Sequence, residues 1–344
     1  MKAAIIHAPH DLRIEDAAVP PIGDWDVRVR VRAGGICGSD LHYYHHGGFG
    51  TVRLQEPMIL GHEVAGEVEA VGAAVTRVRV GDRVAVNPSQ ACGTCRFCQE
   101  GRANQCLDMR FYGSAMPTPH VQGGFREVLV CTEAQAVPVP AGFDLQRAAF
   151  AEPLSVCLHA ARQAGPLLRS RVLVTGAGPI GLLCAMVARH AGAAEVVVTD
   201  IADAPLALAR RIGADHALNT RTAPDALAPF SAEKGKFDVA FEASGNGAAL
   251  AGALGAVRPG ATVVQVGLGA GETTLPMNVL VAKEISLRGT FRFHEEFGWA
   301  VDAITSGAID PTPLLTEVVP LDQAVRAFDL ASDRSRAVKV QLAF

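Results

Sequence analysis

The sequence predicts an α/β protein with two parts, an N-terminal region of short β-strands and a doubly wound parallel sheet. In the first ~145 residues, β-branched runs such as VRVRV (27–31), HEVAGEVEAV (62–71) and DRVAV (82–86) are bounded by glycine and proline. From residue 171 onward, apolar strands alternate with helical segments, which is typical of βαβ units. The glycine-rich string GAGPIG (176–181) follows one such strand and opens one such helix.

The elements of the parallel part can be assigned one by one from these patterns. A helix is predicted at PIGLLCAMVARHAG (179–192), because its apolar residues have helical spacing. A further helix is expected from Glu295 to about Ser306, followed by a final strand, VKVQLAF (338–344), and this C-terminal part is expected to return to the first domain. Strands are predicted at RVLVTGAG (171–178), EVVVTD (195–200), FDVAFEAS (237–244), ATVVQVGLG (261–269) and EISLRGTF (284–291).

Composition and charge are those of an ordinary globular chain. The 344 residues are 49% hydrophobic and 19% charged, with a net charge of −4. This charge gives no reason to expect a nucleic acid or an anionic membrane as partner. No apolar stretch reaches the ~18 residues of a membrane helix, and the N-terminus lacks the apolar core of a signal peptide. A cytoplasmic location is therefore expected, where thiols stay reduced.

The segment CGTCRFCQEGRANQC (92–106) contains four cysteines: Cys92, Cys95, Cys98 and Cys106. In a reducing compartment this spacing favours a closed four-thiolate zinc site over disulfides. An iron–sulfur cluster is the main alternative, and a set of buried or oxidisable thiols is another. Such a zinc site has no open position, so it is predicted to hold a lobe together.

The string GAGPIG predicts a dinucleotide site because of where it lies. Gly176 would make the tight turn, Gly178 would let the backbone approach a pyrophosphate, and Gly181 would allow close helix–strand packing. The first turn of the following helix, Pro179 and Ile180 included, would offer its free amides to the phosphates.

Asp200, at the end of the next strand, is predicted to accept hydrogen bonds from the adenosine ribose. A strand-end cap is the alternative for this residue. Its carboxylate would repel a 2′-phosphate, and no arginine follows directly, so NAD is predicted over NADP. Val266 and Gly267, within the predicted strand ATVVQVGLG (261–269), are further candidate cofactor contacts.

A second metal site is indicated by residues that are far apart in the chain. Cys37 lies in GGICGSDLHYY, His62 and Glu63 lie in LGHEVAGEVEAVG, and Glu152 lies in AEPLSV. A cysteine, a histidine and a carboxylate with an open fourth position are typical of catalytic zinc. The spacing alone cannot assemble them, because GHE is often only a turn and a strand start.

Taken together, these stretches resemble the zinc-dependent medium-chain dehydrogenase/reductase family, and in particular its polyol dehydrogenase branch. The resemblance runs essentially from end to end and includes three long specific strings, NQCLDMRFYGSAM (104–116), FAEPLSVCLHAARQAG (150–165) and KEISLRGTFRF (283–293). It implies a catalytic domain with a GroES-like β-barrel at residues 1–146 and 290–344, including a structural zinc lobe at about 88–110. A Rossmann NAD-binding domain at 147–289 would complete the chain, with the active site in the cleft between the domains. A homotetramer is also implied.

The resemblance assigns ligand roles to four of these residues. Cys37, His62 and Glu63 would hold a catalytic zinc, and Glu152 would ligate it directly or through a water. With the structural zinc, this makes two zinc ions per subunit. Cys157 is the alternative ligand, because some alcohol dehydrogenases have a cysteine near this point.

Ser39 and His42 are expected to carry a proton away from the substrate alcohol, as in relatives. A histidine suits this role because its ordinary pKa lies near neutrality. A local turn cap is the alternative role for Ser39, and a surface histidine is the alternative for His42.

The resemblance implies that the substrate is the sugar acid L-idonate, oxidised reversibly to 5-keto-D-gluconate by hydride transfer to NAD. For a carboxylate substrate, Arg110 and Arg292 could offer a guanidinium fork, while Tyr43, Phe111 and Phe293 would form the walls of the cleft. Three alternatives stay open: a neutral polyol such as sorbitol, L-iditol or xylitol as the substrate, an L-threonine dehydrogenase, and an NAD(H)-binding protein without activity.

Overall fold

The computed structural model describes residues 1–269 and 271–344 and divides the chain into two compact units. The first unit contains residues 1–152, 297–333 and 339–344. The second contains residues 153–296 and 334–338. The domain limits predicted from the sequence, 146 and 290, lie a few residues before the corresponding limits of these units.

The elements are numbered in chain order. The strands are β1 (Lys2–Ala8), β2 (Asp11–Asp16), β3 (Asp26–Gly35), β4 (Gly48–Phe49), β5 (Val52–Arg53), β6 (Met58–Ile59), β7 (Glu63–Val71), β8 (Arg83–Val86), β9 (Ser89–Gln90), β10 (Arg110–Phe111), β11 (Val128–Thr132), β12 (Ala136–Val139), β13 (Arg171–Thr175), β14 (Glu195–Asp200), β15 (His216–Asn219), β16 (Phe237–Glu242), β17 (Val257–Gln265), β18 (Ser286–Gly289), β19 (Leu315–Pro320) and β20 (Lys339–Ala343). The helices are α1 (Gly38–His46), α2 (Arg96–Gln99), α3 (Leu145–Ala148), α4 (Ala151–Ala164), α5 (Pro179–His190), α6 (Asp203–Arg211), α7 (Ala228–Ser231), α8 (Gly247–Ala256), α9 (Met277–Ala282), α10 (Glu296–Thr305) and α11 (Ala324–Ser332).

The first unit is built around β3. Its side chains alternate, and Val27, Val29, Val31 and Ala33 are buried, as expected for a strand with one face on the core. A seven-stranded sheet runs in the order β12-β8-β7-β3-β20-β19, and β11 also pairs with β3. The pairs that involve β3 are antiparallel, so its final residues lie between the start of β7 and the C-terminal strand β20.

The second unit is a parallel six-stranded sheet in the order β15-β14-β13-β16-β17-β18. This is the 3-2-1-4-5-6 order of doubly wound dinucleotide-binding folds. Leu173, Val197 and Ala240 are fully buried in its core, because a parallel sheet is covered on both faces. The strands and helices predicted for this part are confirmed, and the final strand is confirmed as β20. Within the described ranges, every helix is too short or too polar to cross a membrane.

A buried carboxylate holds α4 to the segment before α10. Glu296 is fully buried and accepts hydrogen bonds from Nδ1 of His159 (2.9 Å), from Arg162 (2.6 Å) and from the His294 backbone (2.7 Å). Burial by itself would raise the pKa of Glu296, but these hydrogen bonds outweigh it and lower the pKa to about 2. Arg162 also pairs with Glu295, which is 53% exposed.

We expect Glu296→Gln to lower the free energy of unfolding by about 1–3 kcal/mol at pH 7, since it weakens charge-assisted hydrogen bonds in a buried position. A lowered pKa gives stability that is complete above the ordinary pKa of 4.5 and is lost as the pH falls through about 2. The difference between wild type and variant should therefore shrink below about pH 4.5. Urea unfolding at pH 7 and pH 4 measures it.

Glu295→Gln is the matched control, because it removes an exposed partner of the same arginine. A change below about 1 kcal/mol is expected for it. Equal effects of the two substitutions would contradict the role assigned to Glu296.

Candidate active site

The four cysteines of the 92–106 segment converge, with their sulfur atoms within 4.8 Å of one another. Sγ of Cys95 lies 3.6 Å from Sγ of Cys98 and 4.0 Å from Sγ of Cys106. Four zinc–sulfur bonds of about 2.3 Å make a tetrahedron with edges of about 3.8 Å, whereas a disulfide bond is about 2.05 Å long. All four thiols are unpaired. The arrangement therefore fits a metal and not a disulfide.

The backbone of this lobe favours thiolates. The amide of Cys92 donates to Sγ of Cys106 (3.2 Å), and the amide of Cys95 donates to Sγ of Cys92 (3.4 Å). Amide groups of Thr94 and Cys95 lower the pKa of Cys92 to about 6. These amides favour the thiolate of Cys92, which is the form that binds metal, whereas burial and neighbouring thiols raise the pKa of Cys98 to about 12.

Cys37, His62 and Glu63 form the second cluster, and their ligand atoms also lie within 4.8 Å of one another. Cys37 directly precedes α1, Glu63 is the first residue of β7, and His62 directly precedes that strand. The register of the sheet brings them together, because Glu63 pairs with Gly35 at the end of β3. This is the long-range contact that sequence spacing could not supply.

Asp40 is a buried carboxylate behind this cluster. Its Oδ2 accepts from the Cys37 amide (2.9 Å), and its Oδ1 accepts from the Gly61 amide (3.1 Å). The same Oδ1 lies 3.8 Å from Nδ1 of His62, a buried nitrogen that lacks a hydrogen-bond partner among the described residues. Metal-binding histidines commonly turn their second ring nitrogen toward a carboxylate, so this geometry fits metal binding through the other nitrogen of His62.

The electrostatics of the cluster also fit a cation. Burial is the main cause that raises the pKa of the Cys37 thiol, and the negative charge of Glu63 is the second cause. Burial likewise raises the pKa of Glu152 to about 8, although His62 acts in the opposite direction. A divalent ion would offset the repulsion between these groups and favour their charged forms. The carboxylate of Glu152 is not among the atoms within 4.8 Å, so Glu152 lies near the cluster without joining it.

Cys157, the alternative ligand, is engaged elsewhere. It is fully buried in α4, and its thiol donates to the Ile180 carbonyl oxygen at 3.4 Å. It is also absent from the cluster in the part of the chain that the structure describes. Its place suits a small buried apolar side chain better than a ligand.

The glycine-rich loop has the geometry that its three glycines predict. Gly176 has φ of +93°, the left-handed region that favours glycine. A Cβ on Gly181 would lie 1.8 Å from the Gly176 carbonyl oxygen, whereas a Cβ on Gly178 would have no atom within 4 Å. Gly178 precedes α5, which has Pro179 in its first turn and no side-chain cap. The loop thus leaves space and uncapped amides where a pyrophosphate would bind.

Asp200 already holds this loop. Its Oδ2 accepts from the Ala177 amide (2.6 Å), and its Oδ1 accepts from the amides of Ile201 (2.7 Å) and Ala202 (2.9 Å). A carboxylate has about four acceptor positions, so one stays available for a ribose hydroxyl.

A second carboxylate organises the same edge of the sheet. Glu242, fully buried, accepts from Gln265 (2.6 Å), from the Ser244 amide and from the Gly245 amide. Its carbonyl oxygen accepts from the amides of Val266 and Gly267, which places both candidates at the end of β17.

Comparisons with known proteins identify the family. Residues 23–141 match the profile of the Alcohol dehydrogenase GroES-like domain, and residues 179–306 match that of the Zinc-binding dehydrogenase. L-idonate 5-dehydrogenase (NAD(P)(+)) of Escherichia coli K12 is 45% identical over 93% of both chains. Sorbitol dehydrogenase of Bacillus subtilis is 38% identical over 96% of this chain and 93% of that enzyme.

The solved structures agree. The crystal structure of L-idonate 5-dehydrogenase from Escherichia coli matches with a TM-score of 0.95 and 42% identity, over 100% of this chain and 98% of that one.

The chain belongs to the zinc-dependent medium-chain dehydrogenase/reductase family.

In this medium-chain dehydrogenase, the predicted substrate residues differ in burial. Tyr43 is buried, its hydroxyl accepts from the Ala115 amide (3.0 Å), and its ring lies 5.6 Å from that of Phe49. The ring of Phe111 is buried 5.5 Å from that of His62. Arg110, the neighbour of Phe111 in β10, is exposed. Because successive strand residues point to opposite faces, its side chain starts on the face away from His62, and the sequence-based role of Arg110 stays a prediction.

Arg292 and Phe293 lie in the second unit. Arg292 has φ of +53°, and its guanidinium lies over the Phe291 ring, 4.9 Å from the centroid. Phe293 is fully buried. A left-handed conformation is uncommon for a residue other than glycine, and such strain often occurs at functional sites.

Ser39 and His42 stand three residues apart on α1 and share one face of it. Both are partly buried. The His42 ring lies 5.9 Å from Phe49 and 6.1 Å from His46, which is exposed.

Three residues of this dehydrogenase were missed by sequence reasoning: Asp40, Lys339 and Glu242. Lys339, buried in β20, donates from Nζ to both carboxylate oxygens of Glu63. A lysine within the apolar strand VKVQLAF is a signal that could have found it, because a buried lysine needs a partner. Asp40 lies three residues after Cys37, but no pattern in the sequence distinguishes it from a helix cap.

We expect Cys98→Ser to remove one zinc per chain and to lower thermal stability, because a closed four-thiolate site contributes directly to folding. Metal analysis of the purified chain by plasma emission spectrometry gives the count, with Cys184→Ala, a buried cysteine of α5 outside both clusters, as control. Unchanged zinc in Cys98→Ser would contradict the site. Iron with acid-labile sulfide would support the iron–sulfur alternative.

The loop geometry predicts that two similar substitutions affect different properties, one NADH binding and the other thermal stability. Gly178→Ala should keep the thermal stability but weaken NADH binding at least about tenfold, or 1.4 kcal/mol, because the added methyl fills space beside the α5 N-terminus. Gly181→Ala should lower stability by about 1–3 kcal/mol, since the Gly176 carbonyl must move. Fluorescence titration with NADH and thermal unfolding separate the two effects. Undiminished NADH binding by Gly178→Ala would contradict the assignment of the pyrophosphate to this loop.

Proposed function

We propose that this chain oxidises L-idonate at C5, reversibly, to 5-keto-D-gluconate, with hydride transfer to NAD. The observation that carries the proposal is the Cys37–His62–Glu63 cluster in a chain that is 45% identical to an L-idonate 5-dehydrogenase over 93% of both lengths. A chain that only bound NAD(H) would have no need of an open metal-type cluster. Steady NADH production from L-idonate that chelation abolishes is the expected result, and its absence with every polyol and aldonate would favour the binding protein.

The metal roles follow from the donor sets. Cys37, His62 and Glu63 would hold a catalytic zinc, with Glu152 beside them, and the four cysteines would hold a structural zinc. A zinc ion held by Cys37, His62 and Glu63 would supply Lewis acidity, which makes an alcohol a stronger acid. Asp40 holds the amides of Cys37 and of Gly61, the residue before His62, and its carboxylate lies beside the His62 ring.

Ser39 and His42 are the proposed exit for the alcohol proton. Ser39 would accept the proton at Oγ, and His42, one turn further along α1, would pass it toward solvent. Their shared helix face and partial burial support this direction.

The cofactor would be held by the loop from Gly176 to Gly181, by Asp200, and by Val266 and Gly267. Bound NAD supplies the hydride acceptor of the reaction. NAD is proposed over NADP because Asp200 puts a negative charge beside the adenosine ribose, where a 2′-phosphate would be repelled.

We expect kcat/KM to be higher with NAD than with NADP, and Asp200→Ser to reduce that preference by removing the charge. Asp203→Ser is the matched control: Asp203 is exposed, pairs with Asn219 and lies three residues further on, so the ratio should change less. Steady-state kinetics with both cofactors measure the ratio. Equal efficiency of wild type with NAD and NADP would overturn the preference.

The substrate carboxylate needs a cation, and Arg292 and Arg110 are the candidates. We expect Arg292→Met, at a partly buried position, to cost about 2–4 kcal/mol in kcat/KM for L-idonate, the scale for leaving a buried charge unpaired. Arg110→Met, at an exposed position, should cost less. Oxidation of sorbitol should suffer less, because sorbitol has no carboxylate. A panel of L-idonate, sorbitol, L-iditol, xylitol and L-threonine at fixed NAD makes the comparison.

A sorbitol-type polyol dehydrogenase is the second candidate, and the 38% identity to a sorbitol dehydrogenase favours it. Preference of the wild type for sorbitol, or equal loss of both activities in both arginine variants, would establish this alternative.

The homotetramer and the cytoplasmic location expected from the sequence stay predictions.

A further inference from the structure

Lys339 and Glu63 form a buried ion pair at the proposed metal cluster. Their side chains are 2% and 1% exposed, and Nζ of Lys339 lies 2.8 Å from Oε1 and 2.7 Å from Oε2 of Glu63. The third ammonium hydrogen is directed to the Ile36 carbonyl oxygen at 3.1 Å. The three donors of Lys339 are thus all used, and two of them hold a carboxylate that the metal would also require.

The sheet is built to permit this contact. Glu63 is in β7 and Lys339 is in β20, on opposite sides of β3. Between them stands Gly35, which pairs with Glu63 on one side and with Gln341 on the other. A Cβ on Gly35 would lie 2.0 Å from Oε2 of Glu63. The carboxylate therefore crosses over the glycine to reach the lysine, which no other residue at position 35 would allow.

We propose that Lys339 is a positioning residue that competes with the metal for the Glu63 carboxylate and so makes Glu63 a displaceable ligand. The inference rests on the metal role proposed above for Cys37, His62 and Glu63. A carboxylate held by two cations binds each less tightly than it would bind one alone, and the charge of Lys339 also opposes a second cation nearby. Cys37 and His62 have no such competitor among the contacts described above.

Removal of the lysine charge tests this directly. In Lys339→Met, Glu63 has only the metal as partner, so release of zinc from this cluster to a chromogenic chelator should slow about tenfold or more, the scale on which partners of metal ligands act. Lys339→Arg keeps the charge and should release zinc at close to the wild-type rate. The four-cysteine zinc of the same molecule is the internal control, and its release rate should not change.

Two further measurements distinguish this role from a purely structural one. Glu63→Gln added to Lys339→Met should abolish the slowing, because the slowing requires the carboxylate. The visible spectrum of the cobalt-substituted cluster should change in Lys339→Met and return in Lys339→Arg. If Lys339→Met does not fold, Lys339→Gln, which keeps hydrogen-bond donors but no charge, takes its place with the same expectations.

The result that would overturn the role of Lys339 differs from the result that would overturn the proposed metal site. Two zinc ions per chain with unchanged or faster release in the uncharged variants would overturn the inference alone and leave Lys339 as a support of the sheet. A wild-type chain that binds only the four-cysteine zinc would overturn the metal role of Cys37, His62 and Glu63, and the inference with it.

Discussion

The first unit depends on the pairing of a central strand with partners from distant parts of the chain. The end of β3 lies between β7 and β20, and the buried Lys339–Glu63 pair joins those two outer strands across Gly35. A buried lysine or glutamate without a partner is strongly unfavourable, so each group requires the other strand to be in register. The same register sets Glu63 beside His62 and Cys37. The proposed metal cluster is therefore a consequence of how the C-terminal strand closes the sheet.

The second unit uses carboxylates differently, as acceptors for backbone amides at one edge of a parallel sheet. Asp200 holds the Ala177 amide of the glycine loop, and Glu242 holds the loop that follows β16. Both residues end their strands, where the amides of the following loops point. A carboxylate that accepts several amides is rigid, and a rigid edge suits a cofactor whose phosphates are bound by backbone groups.

The two cysteine-containing clusters differ in how far apart their ligands lie in the chain. The four cysteines of the lobe lie within residues 92–106, and local amide–sulfur hydrogen bonds arrange them. The second cluster joins a residue before a helix with two at the start of a strand, and a buried aspartate links them. A local cluster suits a closed structural site, whereas a cluster made by tertiary contacts is held on several elements and can leave one position open.

The sequence by itself determined the features whose signals are local. Period-2 runs predicted β3, β7 and β8, the order of strands and helices predicted the parallel sheet, and the spacing of Cys92 to Cys106 predicted their convergence. Long specific strings identified the family. Tertiary structure decided what depends on residues distant in the chain: that Lys339 meets Glu63 from a position 276 residues away, and that Asp40 lies behind both Cys37 and His62. It also decided that Arg110 is exposed while Phe111 packs beside His62. Periodicity gives the faces of a strand, but only the packed sheet decides which face meets the cluster, because that choice depends on pairing with residues elsewhere in the chain.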